Sequence, residues 1–272
     1  MGSPDGYRAK TKTHLNEFED KALTEEELAA VWDALRVDSP NNPWPRLEAV
    51  RVRNAIMFLV LYETGIRRGE LGNIRVSDVN FRTHTLKIRR RQNSKSDPRT
   101  RQPNVKTRER GLPISEELSG HIEAYVLNER RCNRAARKHD ILFVSHQGAT
   151  LGHPLAMDSI NYVFRCLQAT VPALSGIHPH RLRHHANYEI TLTIDEKYKG
   201  RPPEERQKAD QQIRSQIMGW SPTGTQQARY NKRYTQEKVE EATSNRNEKF
   251  SSDERRRVLN TFLDNQPSGE GK

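Results

Sequence analysis

Two clusters of cationic side chains and one late tyrosine are the residues of this chain whose types and spacing suit chemistry. In Thr64-Gly65-Ile66-Arg67-Arg68-Gly69-Glu70-Leu71, the first glycine follows an apolar run and suits a helix stop with a sharp restart. Arg67 and Glu70, three apart, then share a face. An arginine steadied by a carboxylate is suited to gripping a phosphate, because its planar fork matches two oxygens and its charge does not titrate. An ordinary surface salt bridge has the same spacing.

The segment His178-Pro179-His180-Arg181-Leu182-Arg183-His184-His185 is the more unusual one. Pro179 suits the first turn of a helix, after which His180 and Arg183 point the same way, with His184 one turn from His180. In a phosphate site the imidazole would donate to an oxygen or move a proton, while the guanidinium neutralises developing charge. Zinc is a rival reading, since His180 and His184 have ligand spacing, but no acidic motif or cysteine pair completes a metal site. A solvated basic helix is the third. Further on, Met218-Gly219-Trp220 closes a helix, and Tyr230 follows Trp220 by ten residues, with Tyr234 behind it. An isolated tyrosine is most often a half-buried core residue with its hydroxyl at the surface, so Tyr230 alone says little.

The elements that must position these residues are mainly helical. Thr24 and Glu27 form a capping box, Leu23 and Leu28 a hydrophobic staple, and Leu28, Val31, Trp32 and Leu35 follow helical spacing. A Pro-rich break from Pro40 to Pro45 precedes a second, more apolar helix over Ala49 to Glu63. Val79, Phe81, Leu86 and Ile88 around a polar turn predict a hairpin, and Arg108 to Ile114 a further strand after a long basic loop over Gln92 to Val105. Ser115 can cap a helix carrying Leu118, Ile122 and Val126, and Ile160, Val163, Phe164 and Leu167 mark another. The hydrophilic stretch Asp195 to Asp210, with Gly200, Pro202 and Pro203, reads as a surface insertion between two helices. The fold class is therefore α+β, mainly α-helical, with a small three-stranded antiparallel sheet.

Composition bounds the rest. The 272 residues suffice for one main domain with a real core, and 33% hydrophobic against 30% charged residues confines the apolar side chains to amphipathic elements. Lys and Arg number 46 against 35 Asp and Glu, a net charge of +11, which points to a polyanionic partner, nucleic acid being the usual one. Ribosome-associated and merely soluble proteins share that balance. No apolar run approaches the ~20 residues that span a bilayer, and Met1-Gly2-Ser3 lacks the apolar start of a secretory signal, so a cytoplasmic protein without membrane contact is expected. Cys132 and Cys166 are too few for a disulfide framework or a zinc ribbon and are expected to be reduced and at least partly buried.

Taken in order, these segments resemble the tyrosine recombinases of the phage-integrase family, over roughly Leu23 to Glu241. Thr64 to Leu71 matches the family's T-G-[LI]-R-x-[GS]-E-L segment, which assigns Arg67 as the first catalytic arginine and Glu70 as its supporting acid. Lys106-Thr107-Arg108-Glu109-Arg110-Gly111-Leu112-Pro113 matches the hairpin that carries the catalytic lysine, making Lys106 the general acid, with Lys95 a weaker alternative. The H-x-L-R-H box is read at His180, Leu182, Arg183 and His184, so that His180 and Arg183 are catalytic and His184 supports them. Gly219-Trp220 supplies the family's late His or Trp, and an indole N–H can position but not exchange a proton at neutral pH. Tyr230 is then the nucleophile. The family's usual gap from this His or Trp to the tyrosine is nine residues, against ten here, which keeps Tyr234 in reserve.

The resemblance implies a tyrosine recombinase catalytic-domain fold over residues 23–241, behind a flexible leader over 1–22 and ahead of a tail over 242–272 with a short amphipathic helix. It implies a 3′-phosphotyrosyl intermediate and no metal or nucleotide cofactor. Double-stranded DNA is the implied partner, bound by a tetramer on paired sites, with Arg89, Arg90, Arg91, Lys95 and Arg108 along the backbone. Family members also carry a helical DNA-clamping domain ahead of the catalytic one, for which a leader over 1–22 is too short, so either a fragment of a longer integrase or a protein that relies on partners is expected. A type IB topoisomerase, which reseals the same strand, and a DNA-binding protein of this fold without catalysis are the alternatives. Because family members exchange a C-terminal segment between protomers, the apolar stripe Val258, Leu259, Phe262 and Leu263 is the candidate for that exchange. Removing Asp253 to Lys272 should therefore weaken assembly on DNA in a native gel; unchanged assembly would refute that role.

Overall fold

The computed structural model describes residues 22–220 apart from 37, 45, 46, 92, 104 and 106. Lys106, Tyr230, Tyr234 and the stripe from Val258 to Leu263 lie outside the described residues. Helix α1 (Glu25–Leu35) opens with the expected capping box: the Thr24 hydroxyl accepts from Glu27 N–H at 3.2 Å, and the Glu27 carboxylate accepts from Thr24 N–H at 2.9 Å. Helix α2 (Glu48–Thr64) buries Ile56, Met57, Phe58, Val60 and Leu61. A helix apolar over so much of its circumference must be covered on several sides, and α1, α4 (Glu116–Ala124) and α6 (Pro179–Lys197) all pack against it. It stops at Gly65, whose φ of 59° is left-handed. A Cβ there would lie 2.9 Å from Cβ of Ala186, so both the backbone and the close approach of α6 require glycine. Helix α3 (Arg68–Leu71) restarts the chain three residues on.

The sheet has the expected three antiparallel strands, β1 (Val79–Asn80), β2 (Thr85–Ile88) and β3 (Arg110–Pro113), in that order, with Leu86 opposite both Val79 and Leu112. Alternate residues face inward, as the period of two demands: Leu86 and Ile88 from β2, Arg110 and Leu112 from β3. The long β2–β3 connection is held by its own side chains. Gln102 donates to the carbonyls of Ser94 and Asp97, and Arg99 grips Asp97 at 2.7 Å while reaching Leu155 O at 3.1 Å. Ser115 caps α4 (Glu116–Ala124), accepting from Leu118 N–H at 3.0 Å, and α4 runs on into a π-helical stretch, Tyr125–Arg130.

Helix α5 (Met157–Thr170) buries Ile160, Val163, Phe164 and Leu167, and α6 (Pro179–Lys197) begins with Pro179 in its first turn. The stretch Asp195 to Asp210 is not the irregular insertion its polarity suggests. Helix α6 extends to Lys197 and α7 (Pro203–Met218) begins at Pro203, leaving a short connection around Gly200. Polar pairs join the two helices beyond the small apolar cluster of Ala186, Ile190, Ile217 and Met218: Arg206 meets Asp195, and the buried Arg214, paired with Asp210 of its own helix at 2.6 Å, binds Thr191 Oγ1 at 2.6 Å and Asn187 O at 3.0 Å. Cys132 is exposed rather than partly buried, because it sits in the turn after the π-helical stretch, where its Sγ meets Asn128 O. No helix among the described residues is long and apolar enough to cross a membrane.

A polar pair inside the core sets a pH response. The Tyr125 hydroxyl lies 3.1 Å from Nε2 of His146, and both residues are buried. Burial pushes the Tyr125 phenol up to about 12 and, with the nearby charge of Arg53, pushes the His146 imidazole from 6.5 down to about 4. Below pH 6.5 the unfolded chain takes up a proton that the folded chain refuses until about pH 4, so stability is full above that window and falls through it on acidification. Urea unfolding at pH 7 and pH 4.5 should show a loss of up to about 3 kcal/mol from this group, absent in His146→Gln. An identical pH dependence in the variant would contradict it.

Candidate active site

The ends of α2 and α7 meet at one guanidinium. Arg183, in the second turn of α6, donates from Nη1 to Gly65 O at 2.6 Å and from Nη2 to Met218 O at 2.9 Å. Helix C-termini concentrate unsatisfied carbonyls and partial negative charge, which compensates a cation that is fully buried. Its Cζ also lies 5.7 Å from the ring centre of Trp220, a cation–π distance, and Trp220 is itself buried. A phosphate can therefore meet Arg183 only by displacing part of what covers it. His180 is on the same helix but exposed, with its ring centre 4.9 Å from that of His184 in an edge-to-face contact. The sequence places His180 and Arg183 on one side of α6, and the structure sets them at different depths.

Glu70 is the second centre. It is buried, and its two oxygens serve three segments: Oε2 accepts the Arg67 main-chain N–H at 2.7 Å, and Oε1 accepts both the Arg110 guanidinium at 2.7 Å and the Thr107 hydroxyl. The carboxylate expected to steady Arg67 thus reaches back to its main chain, since Arg67 precedes α3 and Glu70 is the third residue of the helix, the geometry of a capping box. The guanidinium it pairs with comes from β3. Burial pushes the Glu70 carboxyl up, but the hydrogen bond and charge of Arg110, with the donors of Arg67 and Thr107, outweigh it and hold the group below its ordinary value.

Arg110 carries the tie onward to α7. Its Nε donates to Ile217 O at 2.8 Å, and a Cβ at Gly219 would come within 2.6 Å of its Nη1. The φ of 65° at Gly219 independently requires glycine, so the helix ends tightly against the guanidinium. Arg108, exposed beside it, closes the contact with a long N–H bond of 3.4 Å to Gly219 O.

The remaining basic residues divide between fold and surface. Asp78, 1% exposed at its side chain, accepts from Arg91 at 2.6 and 2.8 Å and lies 3.4 Å from Arg89, so these two cations face a buried carboxylate. Arg90, Lys95 and Arg108 are exposed. Among the described residues, no group of three or more His, Cys, Asp or Glu side chains is placed to hold a metal ion. The sequence reading missed Arg110 and Thr107 as partners of Glu70. It also missed Asp78 as a collector of arginines and the pairing of Arg181 with Glu27 at 2.8 Å. One signal was available: Arg110 stands two residues from Leu112 in a strand, an inward register in which a charged residue needs a buried partner.

Helices around a small antiparallel sheet, with Arg183 and Arg110 tied to the helix ends, match a known class. The chain belongs to the phage integrase family, whose model matches residues 21–191. Among curated relatives it is 28% identical to tyrosine recombinase XerC of Staphylococcus epidermidis over 175 residues, 64% of this chain and 48% of the relative. It is also 28% identical to tyrosine recombinase XerD of Halalkalibacterium halodurans over 164 residues, 60% of this chain and 46% of the relative. The chain thus spans about half the length of the relatives it matches. Its fold is similar to that of the XerH site-specific recombinase bound to palindromic difH substrate in a post-cleavage complex, with a TM-score of 0.53 at 16% identity, over 82% of this chain and 52% of that one. The pre-cleavage XerH complex gives 0.51 at 15% identity, over 78% and 50%. The fold is that of a tyrosine recombinase catalytic domain, as the resemblance implied. Trp220 and Tyr230 lie beyond the residues the family model matches.

The Glu70–Arg110 pair makes a stability prediction. Glu70→Gln leaves a buried guanidinium without its counter-charge and should cost about 3–5 kcal/mol at neutral pH. Adding Arg110→Met should recover part of the loss, a coupling of at least about 2 kcal/mol in urea unfolding. Because the folded value of Glu70 is depressed, its contribution is present above the ordinary carboxylate range and disappears as pH falls through the folded value. Additive losses in the double variant would show that the pair is not coupled.

Proposed function

We propose that this chain is the catalytic domain of a site-specific DNA recombinase that cuts and rejoins strands through a 3′-phosphotyrosyl link to Tyr230. The observation that carries the reading is the Arg183 tie. One guanidinium joins the end of α2, two residues before Arg67, to the end of α7, from which the chain continues to Tyr230. Membership of the phage integrase family and the named activity of the relatives support it.

In this reading the Tyr230 hydroxyl gives up its proton to solvent as its oxygen attacks a backbone phosphorus, the bond from phosphorus to the 5′-oxygen breaks, and Lys106 gives its proton to the departing oxygen. Rejoining is the reverse, with the 5′-hydroxyl of a partner strand attacking the phosphotyrosine, so bond energy is conserved and neither metal nor nucleotide is required. Arg67 and Arg183 stabilise the charge of the pentacoordinate phosphorane, and His180 donates to one of its oxygens. Trp220 positions, while Glu70 and His184 support the arginine and histidine beside them. Arg90, Lys95 and Arg108 track the DNA backbone without reading sequence, joined by Arg89 and, less readily, by Arg91. The catalytic unit runs over residues 23–241, acts in the cytoplasm on double-stranded DNA, and works as a tetramer on paired sites.

A pool of nicked duplexes with a randomised core, incubated with wild type, Tyr230→Phe and Tyr234→Phe, tests the reading on a denaturing gel. A protein–DNA adduct lost only in Tyr230→Phe is expected. Loss in Tyr234→Phe instead would move the nucleophile, and tight binding with no adduct from any form would favour a protein that binds DNA without cutting it. Strand exchange between two trapped duplexes separates a recombinase from an enzyme that reseals the same strand.

A further inference from the structure

We infer that Arg110 is a positioning residue of the protonation step: with Glu70, it locks the segment that presents the general acid to the end of α7. The inference rests on the strand-cleavage reading. Thr107 follows Lys106 directly, and its hydroxyl donates to the same Glu70 oxygen that Arg110 grips. Arg110 in turn holds Ile217 O at 2.8 Å, and Gly219 closes on its guanidinium so tightly that no side chain fits between them. The residue beside the general acid, the main chain of Arg67 and the origin of the segment leading to Tyr230 are therefore referred to one buried ion pair.

Stability alone does not account for this arrangement. A buried ion pair is seldom better than apolar side chains of the same volume, and the inward face of β3 would accept an aliphatic residue beside Leu112. Among the described residues, the Arg110 Nη2 is buried without a hydrogen-bond partner, which makes it a costly way to hold a strand. What it provides is geometry. A flexible lysine must deliver its proton to the 5′-oxygen as the bond from phosphorus to that oxygen breaks, and displacement by an ångström is enough to slow such a step on the order of 100-fold.

The test replaces the leaving oxygen by sulfur. In a 5′-bridging phosphorothiolate, Tyr230 still attacks phosphorus, but the bond to sulfur breaks and the thiolate leaves with its electron pair, needing no proton. The duplex recovered from the adduct selection is prepared in both forms and treated with the 272-residue chain, Arg110→Lys, and the double variant Glu70→Gln/Arg110→Met. The double variant removes both charges and so keeps the fold even if a single replacement does not. Expected of Arg110→Lys is adduct formation about 10- to 100-fold slower on the ordinary duplex, with DNA affinity unchanged and the rate restored to near the parent's on the phosphorothiolate; the double variant, which also loses the Glu70 contact to Arg67, is slowed on both substrates but regains rate on the phosphorothiolate. An equal slowing on both substrates would make Arg110 purely structural, and no slowing on the ordinary duplex would equally overturn the inference. Failure of the parent to form an adduct on either substrate would instead overturn the strand-cleavage reading, and this inference with it.

Discussion

A carboxylate whose side chain is 1% exposed stays charged only if its surroundings replace water, and at Glu70 they do so with a guanidinium, a main-chain N–H and a hydroxyl. Desolvation alone would raise the carboxyl; these donors reverse the sign. Each donor comes from a different part of the chain: the restart after α2, the loop before β3, and β3 itself. Compensation of a single buried charge therefore obliges three segments to meet. The remainder of the site is arranged around that meeting point.

The carbonyl ends of helices supply the matching constraint. Helix α7 finishes against Arg110 through Ile217 O and against Arg183 through Met218 O, and α2 finishes against Arg183 through Gly65 O. Two glycines make this possible, since both adopt left-handed backbone and both sit where a Cβ would strike a neighbour. Arginine suits these joints because its fork spans two acceptors and its charge persists at any physiological pH. The same properties suit phosphate, so the basic character of the site is in part the scaffold's own. Asp78 extends the pattern by holding Arg89 and Arg91 of the β2–β3 connection against the domain, and Asp97 pairs with Arg99 within that connection. The chain's 46 Lys and Arg therefore overstate the charge available to a polyanion.

Local rules made much of the framework legible. The Thr24–Glu27 box and the Ser115 cap stand where the sequence put them, because a cap needs only residues within one turn. The hairpin and the third strand follow from alternation, and the stop at Gly65 from an apolar run ending in glycine. Asp195 to Asp210 misled, because helix–helix contact there is made by polar pairs such as Arg206 with Asp195 and leaves no apolar stripe to read.

The sequence by itself determined which residue types stand in order along the chain: Arg67 and Glu70, the histidine box with Arg183, and the glycine before Trp220. It determined them because spacing on a helix and the order of a motif are one-dimensional properties. Only the tertiary structure decided that Glu70 pairs with Arg110 across forty residues, that Arg183 is a buried tie between two helix ends, and that Arg91 faces Asp78. Those outcomes depend on which charges burial leaves without water. That is settled only when distant segments pack together, because a carboxylate accepts whichever donors the fold brings within reach.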